Sequence, residues 1–122
     1  MEYVGRVNYD EELPQYNTEN GVATGNELGV SESNPLMWID AVEKVFEKTA
    51  DSGFPMKYIK SISVSGQQHG LVALDSNGNL ARTMAKLWND FSTQEECDLL
   101  TEKMGGKDNM ISETSNTQRT GY

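Results

Sequence analysis

Residues 59–70 read IKSISVSGQQHG. Apolar and polar side chains alternate from residue 61 to residue 65, and this period of two predicts a β-strand at Ile59–Ser65. Glycines at positions 66 and 70 then bracket a polar loop that ends in His69. In open α/β sheets, ligands usually bind at the edge where strands end in such loops. The stretch therefore predicts an α/β fold with a polar site directly after this strand.

The segment before this strand predicts an amphipathic helix. Asn34 suits the N-cap, and Pro35 is tolerated at the first helical position because its missing N–H would be unpaired there. Gly53 and Pro55 end the helix. One apolar stripe at helical spacing, expected to pack on the core, consists of Trp38, Ile39, Val42, Val45 and Phe46.

Two further predictions concern the N-terminal third of the chain. Tyr3–Tyr9 is short and rich in β-branched and aromatic residues, which favours a strand. Asp10–Asn34 is acidic and rich in Asn and Gly, which indicates a long connecting loop. Loops of this length are usually functional or mobile.

A hairpin is predicted after the polar loop. Leu71–Leu74 and Met84–Trp88 are apolar runs that suit strands, and the pair Asn77-Gly78 lies between them. Asn-Gly favours the tight turns that join two antiparallel strands.

The last predicted element is a helix that begins after Ser92 and ends near Met104. Ser92 with Glu95 three residues later forms a capping-box pattern, and Gly105-Gly106 would end the helix. The tail, Lys107–Tyr122, is rich in Ser, Thr and Asn and predicts no regular element.

Composition excludes several classes of protein. The chain has 122 residues, the size of one ordinary domain, and its 10 basic against 19 acidic side chains give a net charge of −9. That charge argues against nucleic acid or an anionic membrane as the main partner. Its single cysteine, Cys97, excludes an internal disulfide and a cysteine-cluster zinc site. No apolar run reaches ~20 residues, and the acidic N-terminus is unlike a signal peptide, so a cytoplasmic location is expected.

Three groups of polar residues are candidates for a site. They are Gln68 with His69, the run Trp88–Asp90, and Arg119. Amide, imidazole and carboxylate groups near an aromatic plate suit a polyhydroxylated ligand, whose hydroxyls both donate and accept hydrogen bonds. The residues alone leave other interpretations open: a histidine bonded to backbone, a core tryptophan before an Asn-Asp turn, and a solvated arginine. No phosphate-binding glycine motif, metal-ligand spacing or serine nucleophile elbow is present.

The stretch Ile62–Gly70 resembles the sugar-contacting strand and loop of xylulokinases, in the FGGY family of carbohydrate kinases. The Asn-Gly loop, Leu36–Trp38, Leu87–Asp90 with its following helix, and Thr117–Gly121 are similar to other segments of the family, in the same order. The resemblance covers nearly the whole chain. It implies an α/β fold of the actin-like, ribonuclease-H-like type, of which residues 1–122 form an incomplete N-terminal domain. The family's phosphate-handling turn, catalytic aspartate and ATP-binding domain are expected to lie outside this chain.

The resemblance also implies a function. The parent enzyme would use ATP and magnesium to phosphorylate the C5 hydroxyl of D-xylulose. Gln68 and His69 would contact the ketose, Arg119 matches a substrate-contacting arginine, and Asn89 and Asp90 would shape the pocket. No catalytic residue and no metal ligand is expected within the chain itself, since ATP and magnesium would be bound elsewhere in the parent enzyme.

Alternative functions remain open at this stage. The chain could be a non-catalytic module that binds sugar, or a non-catalytic module that forms a homodimer. The parent enzyme could also phosphorylate another ketopentose, such as ribulose.

Overall fold

The computed structural model describes residues 2–66 and 69–120. The chain divides into two compact units. The first contains residues 1–24 and 33–66, and the second contains residues 25–32 and 67–122. Gln68 lies outside the described residues. Within the described residues, no helix has both the length and the apolar character needed to cross a bilayer.

The first unit is built from short elements around one longer helix. In chain order they are α1 (Tyr9–Glu12), a 3₁₀ turn (Pro14–Tyr16), strands β1 (Thr18–Glu19) and β2 (Val22–Ala23), helix α2 (Pro35–Asp51) and a second 3₁₀ turn (Met56–Tyr58). The prediction of a continuous loop over Asp10–Asn34 is therefore wrong, because β1 and β2 form an antiparallel hairpin within it. Its turn residues, Asn20 and Gly21, both have positive φ, as a tight two-residue hairpin requires.

Asp10 fixes this hairpin to α1. One carboxylate oxygen accepts hydrogen bonds from Oγ1 of Thr18 at 2.7 Å and from the amide of Gly21 at 3.1 Å. The other oxygen accepts from the amide of Asn20 at 2.6 Å. These bonds, the Thr18 bond foremost, lower the pKa of Asp10. The acidic character of the segment thus serves turn formation as well as solvation.

Helix α2 begins and ends where the sequence predicts. Oδ1 of Asn34 accepts from the amide of Leu36 at 3.0 Å, which satisfies one of the free donors of the first turn. Pro35 is the first helical residue. Gly53, beyond the last turn, has a φ of +79°, which only glycine adopts without steric cost.

The buried face of α2 agrees with the prediction only in part: Trp38 of the predicted stripe packs against the core. Met37 is 0% exposed and Ala41 is 7% exposed, and both pack with Leu13. Ile39, Val42 and Phe46 of the predicted stripe are 57%, 50% and 37% exposed. The reason is that the N-terminal segment of the first unit covers the neighbouring face of the helix, so the core forms there.

Neither of the strands predicted at Tyr3–Tyr9 and Ile59–Ser65 is present in the described part of the chain. Tyr9 instead begins α1, because the side chain of Asn8 caps that helix. Ile62 and Val64 remain 67% and 88% exposed. A strand requires a neighbouring strand for its backbone hydrogen bonds, and among the described residues no strand or isolated bridge pairs with these segments. The alternating pattern therefore has no sheet to join.

The second unit contains Glu32 of β3 (Glu32–Ser33), together with β4 (Ala85–Lys86), α3 (Gln94–Lys103) and α4 (Lys107–Thr114). Strands β3 and β4 form a two-stranded sheet. The predicted turn at Asn77-Gly78 is confirmed: Oδ1 of Asp75 accepts from the amides of Asn77 and Asn79 at 2.8 and 2.9 Å. The flanking strands are shorter than predicted. In the described part of the chain, two isolated bridges connect them: Leu71 pairs with Lys86 of β4, and Leu74 pairs with Leu80.

The predicted capping box of α3 is wrong. The N-cap is Thr93, which makes no side-chain capping bond. Ser92, the predicted N-cap, uses its hydroxyl to bond to Asp90 and Lys86 instead. The predicted end is confirmed, with Met104 at the C-cap. Helix α4 was not predicted, because it has no capping side chain and it buries only one residue, Met110.

Candidate functional site

A fully buried carboxylate lies just after β4. Asp90 is 0% exposed and follows a tight turn, which its own amide closes by donating to the carbonyl of Leu87 at 3.0 Å. Its Oδ2 accepts from the amide of Ser31 at 2.9 Å. Its Oδ1 accepts from the amide and hydroxyl of Ser92 at 3.0 and 2.6 Å. Nζ of Lys86 lies 3.1 and 3.2 Å from the two oxygens. Both oxygens are thus occupied by protein donors.

These bonds determine the charge of Asp90. Burial raises the pKa of its carboxyl group, but hydrogen bonds from Ser92, Ser31 and Lys86 favour the ionised form and outweigh burial. The net result lowers the pKa of Asp90 from 3.8 to about 2. Asp90 is therefore a carboxylate at neutral pH.

Lys86 connects Asp90 to a second acidic residue. Its Nζ lies 3.2 Å from Oε1 of Glu32, which is only 7% exposed. Arg82 also forms an ion pair with Glu32 and donates to the carbonyl of Met84 at 2.8 Å. Two cations thus neutralise two carboxylates. Burial of a charged side chain costs less free energy when an opposite charge pairs with it.

The backbone of residues 29–31 holds the turn that contains Asn89. The amides of Leu87 and Phe91 donate to the carbonyls of Ser31 and Gly29 at 2.9 and 2.7 Å. Oδ1 of Asn89 accepts from the hydroxyl of Ser31 at 2.8 Å. The amide nitrogen of Asn89 has no acceptor among the described residues, so its two N–H donors are available to a ligand.

Trp88 precedes Asn89 in this turn and is 54% exposed. The described part of the chain therefore does not bury it as a core residue. Its ring remains accessible beside the polar groups of the turn.

The loop that contains His69 reaches the same edge of the second unit. The amide of Leu71 donates to the carbonyl of Lys86 at 2.9 Å. A Cβ on Gly70 would lie 3.4 Å from that same carbonyl oxygen, at the edge of ordinary van der Waals contact. His69 itself is exposed and has a φ of +65°, which is uncommon for a residue with a side chain.

Of the five residues predicted for the site, three lie in segments that the structure brings together. The bridge between Leu71 and Lys86 brings the His69 loop to the turn that contains Asn89 and Asp90. Arg119 belongs to the same unit, is exposed, and forms no hydrogen bond or ion pair with the described part of the chain. Gln68 falls outside the described residues.

Sequence reasoning missed Ser31, Glu32 and Lys86. The four-residue spacing of Lys86 and Asp90 was no signal, because this spacing brings side chains together on a helix and Lys86 lies on β4. Nothing local connects Glu32 with Lys86, which is 54 positions away. In the described parts of the chain, His, Cys, Asp and Glu side chains form no group of three or more that could hold a metal ion.

Comparisons with known proteins agree on one family. A profile for the N-terminal domain of the FGGY family of carbohydrate kinases matches residues 8–122. The xylulose kinase of Haemophilus influenzae is 38% identical over 99 residues, which cover 77% of this chain and 20% of that protein. The xylulose kinase of Bacillus subtilis is 40% identical over 95 residues, which cover 77% of this chain and 18% of that protein.

A solved structure is similar as well. The crystal structure of a "xyloylose kinase" from Brucella ovis matches with a TM-score of 0.67 and 28% identity, over 83% of this chain and 20% of that one. The chain spans about a fifth of the length of the relatives that it matches.

Proposed function

Because this chain belongs to the FGGY family of carbohydrate kinases, we propose that it is the sugar-binding part of a xylulokinase-like enzyme. Similarity to xylulose kinases from two bacteria and to a solved kinase structure supports this proposal. The proposed fold of the complete N-terminal domain is actin-like and ribonuclease-H-like, with residues 1–122 as a part of it. A cytoplasmic location stays a prediction.

The proposed reaction is transfer of the γ-phosphoryl group of ATP to the C5 hydroxyl of D-xylulose. Enzymes of this kind act chiefly by positioning the reactants and stabilising charge. As the family resemblance implies, we propose that ATP and magnesium bind to other parts of the enzyme. The contribution of this chain is then to bind and orient the sugar.

We propose that the sugar binds where the His69 loop meets the Asn89 turn. A neutral imidazole offers one donor and one acceptor, and an amide nitrogen offers two donors. The exposed guanidinium of Arg119 and the amide of Gln68 are proposed as further contacts. Protein donors already occupy both oxygens of Asp90. We therefore propose that Asp90 shapes the site and does not contact the sugar. The single observation that carries the proposal is the Leu71–Lys86 bridge, which joins the two polar segments.

The experiment is a kinase assay on the full-length protein that contains this chain. D-xylulose, D-ribulose and glycerol are compared at equal concentration by following ADP release. We expect D-xylulose to be the best substrate, and His69→Ala to raise its KM while the exposed Lys103→Ala leaves KM unchanged. A full-length protein that phosphorylates none of these sugars contradicts the proposal, and a preference for ribulose redirects it to another ketopentose.

The second candidate is a non-catalytic module that binds sugar or forms a dimer. It is favoured by one observation: the His69 and Asn89 segments meet within the second unit of this chain. Sugar binding measured by calorimetry, together with no phosphorylation by the complete gene product, would support this alternative. Sedimentation of the same sample distinguishes the dimeric form.

A further inference from the structure

Lys86 has an unusual set of partners for a lysine. Its Nζ lies 3.2 Å from Oε1 of Glu32, 3.1 Å from Oδ1 of Asp90 and 2.6 Å from Oγ of Ser92. An ammonium group has three N–H donors, so these partners can use all of them. Its side chain is only 25% exposed, and water screens such an ion pair less than one on the open surface. Lys86 therefore ties Glu32 to the turn that follows β4.

Ser31, the neighbour of Glu32, makes the second connection to that turn. Its amide donates to Oδ2 of Asp90 at 2.9 Å, and its hydroxyl donates to Oδ1 of Asn89 at 2.8 Å. The ion bridge and the serine contacts thus act between the same two segments. Together they fix the oxygen end of the Asn89 amide, while its nitrogen has no acceptor in the described residues.

We propose that Lys86 is a positioning residue: by bridging Glu32 and Asp90, it holds the turn so that the amide nitrogen of Asn89 donates to a sugar hydroxyl. The sugar in this statement rests on the proposed function, whereas the bridge rests on contacts within this chain. Without the ammonium group, the carboxylate of Asp90 loses its only cationic partner among the described residues. Glu32 retains Arg82. We expect the turn to shift away from Glu32 as a result.

The test compares three variants of the 122-residue chain. Lys86→Met removes the charge but keeps most of the side-chain volume, Lys86→Arg keeps a cation that can bridge two carboxylates, and Lys103→Met is an exposed control on α3. The side-chain NH₂ signals of Asn89 are followed by NMR, first without ligand and then during titration with D-xylulose. We expect Lys86→Met to move these signals and to weaken xylulose binding about fivefold, roughly the effect of one hydrogen bond. Lys86→Arg should keep both the NH₂ signals and the xylulose affinity close to those of the parent chain.

A second variant covers the case in which Lys86→Met does not fold. Ser31→Ala removes the hydroxyl that holds Asn89 and leaves the ion bridge in place, so it should move the same NH₂ signals and weaken binding similarly. If the folded Lys86→Met variant has the NH₂ signals and the xylulose affinity of the parent chain, the proposal is overturned. If Lys86→Met does not fold, the same result in Ser31→Ala overturns it. A folded parent chain with no response to D-xylulose overturns the sugar contact and the proposed function. In that case, displaced NH₂ signals in Lys86→Met still support the bridge.

Discussion

Among single residues, Asp90 makes a pH-dependent contribution to stability. Its pKa is lowered from 3.8 to about 2 in the folded chain. A carboxyl group with a lowered pKa stabilises the fold above its unfolded value, and this contribution is lost as the pH falls through the folded value. We therefore expect the Asp90 contribution to disappear between pH 3.8 and about 2.

Carbon-13 NMR of the Asp90 carboxyl group measures this directly, and we expect it to remain ionised at about pH 3. Denaturant unfolding of the parent and of Asp90→Asn as the pH is lowered tests the consequence for stability. The stability difference between the two should narrow in acid. Because Asp10, Glu12 and Asp75 also have a lowered pKa, only the difference between the two proteins reports on Asp90. A carboxyl group that titrates near 4 would contradict the prediction.

His69 has a backbone conformation that favours glycine. Its φ is +65°, and the left-handed conformation costs a residue with a Cβ about 1–2 kcal/mol. We expect His69→Gly to leave stability within about 1 kcal/mol of the parent, since relief of strain offsets a more flexible unfolded state. His69→Val should be clearly less stable, because its branched side chain is poorly tolerated at positive φ. Equal thermal midpoints for the two variants would exclude a left-handed His69.

At the scale of elements, α2 depends on its N-cap. Asn34→Ala removes the bond from the Leu36 amide to Oδ1 of Asn34, and loss of such a cap costs about 1 kcal/mol. Urea unfolding followed by circular dichroism measures this cost. Glu47→Ala, on the same helix, is the matched control and should change stability by no more than about 0.5 kcal/mol. Equal losses in both variants would show that the cap contributes nothing.

The elements also show what the sequence could predict. The ends of α2 were predictable, because Asn34, Pro35 and Gly53 act through their own local backbone. Its buried face was predictable only in part, because that face depends on which distant segment covers the helix. Trp38 packs against the core as predicted, but Met37, which the predicted stripe left out, lies within that core.

The candidate site, too, was predictable from local patterns and not in its long-range contacts. His69, Asn89, Asp90 and Arg119 were named from sequence patterns and a family resemblance. The bridge to Glu32 was not predictable, since Lys86 reaches it over 54 positions. Ser92 fits a local capping pattern, yet its bonds to Asp90 and Lys86 override that pattern.

For the whole molecule, the exposed stripe of α2 leads to a prediction about stability. Met37→Ala should destabilise the chain by about 2–5 kcal/mol, because it empties a buried site. Replacing Ile39, Val42 and Phe46 together with Gln should cost much less, because these side chains are 57%, 50% and 37% exposed. The triple variant should also bind less of a hydrophobic dye, since dyes of this kind report exposed apolar surface. Unchanged dye binding would contradict this reading of the stripe.

The 122-residue chain itself is expected to be marginally stable. Exposed apolar residues extend beyond α2 to Ile62 and Val64, and a domain of this size has a stability margin of only ~5–15 kcal/mol. Thermal unfolding followed by circular dichroism tests this expectation. A sharp, reversible transition of a monomer above ~60 °C would contradict it.

The central claim is that the second unit binds a ketose where the His69 loop meets the Asn89 turn. An NMR titration of the isotopically labelled chain with D-xylulose tests it most directly, with glycerol as the control for nonspecific effects. We predict saturable shifts at His69, at the side chain of Asn89 and at Arg119, with no comparable shifts along α2. A well-dispersed spectrum that does not change at tens of millimolar xylulose, or that changes only along α2, would contradict the claim.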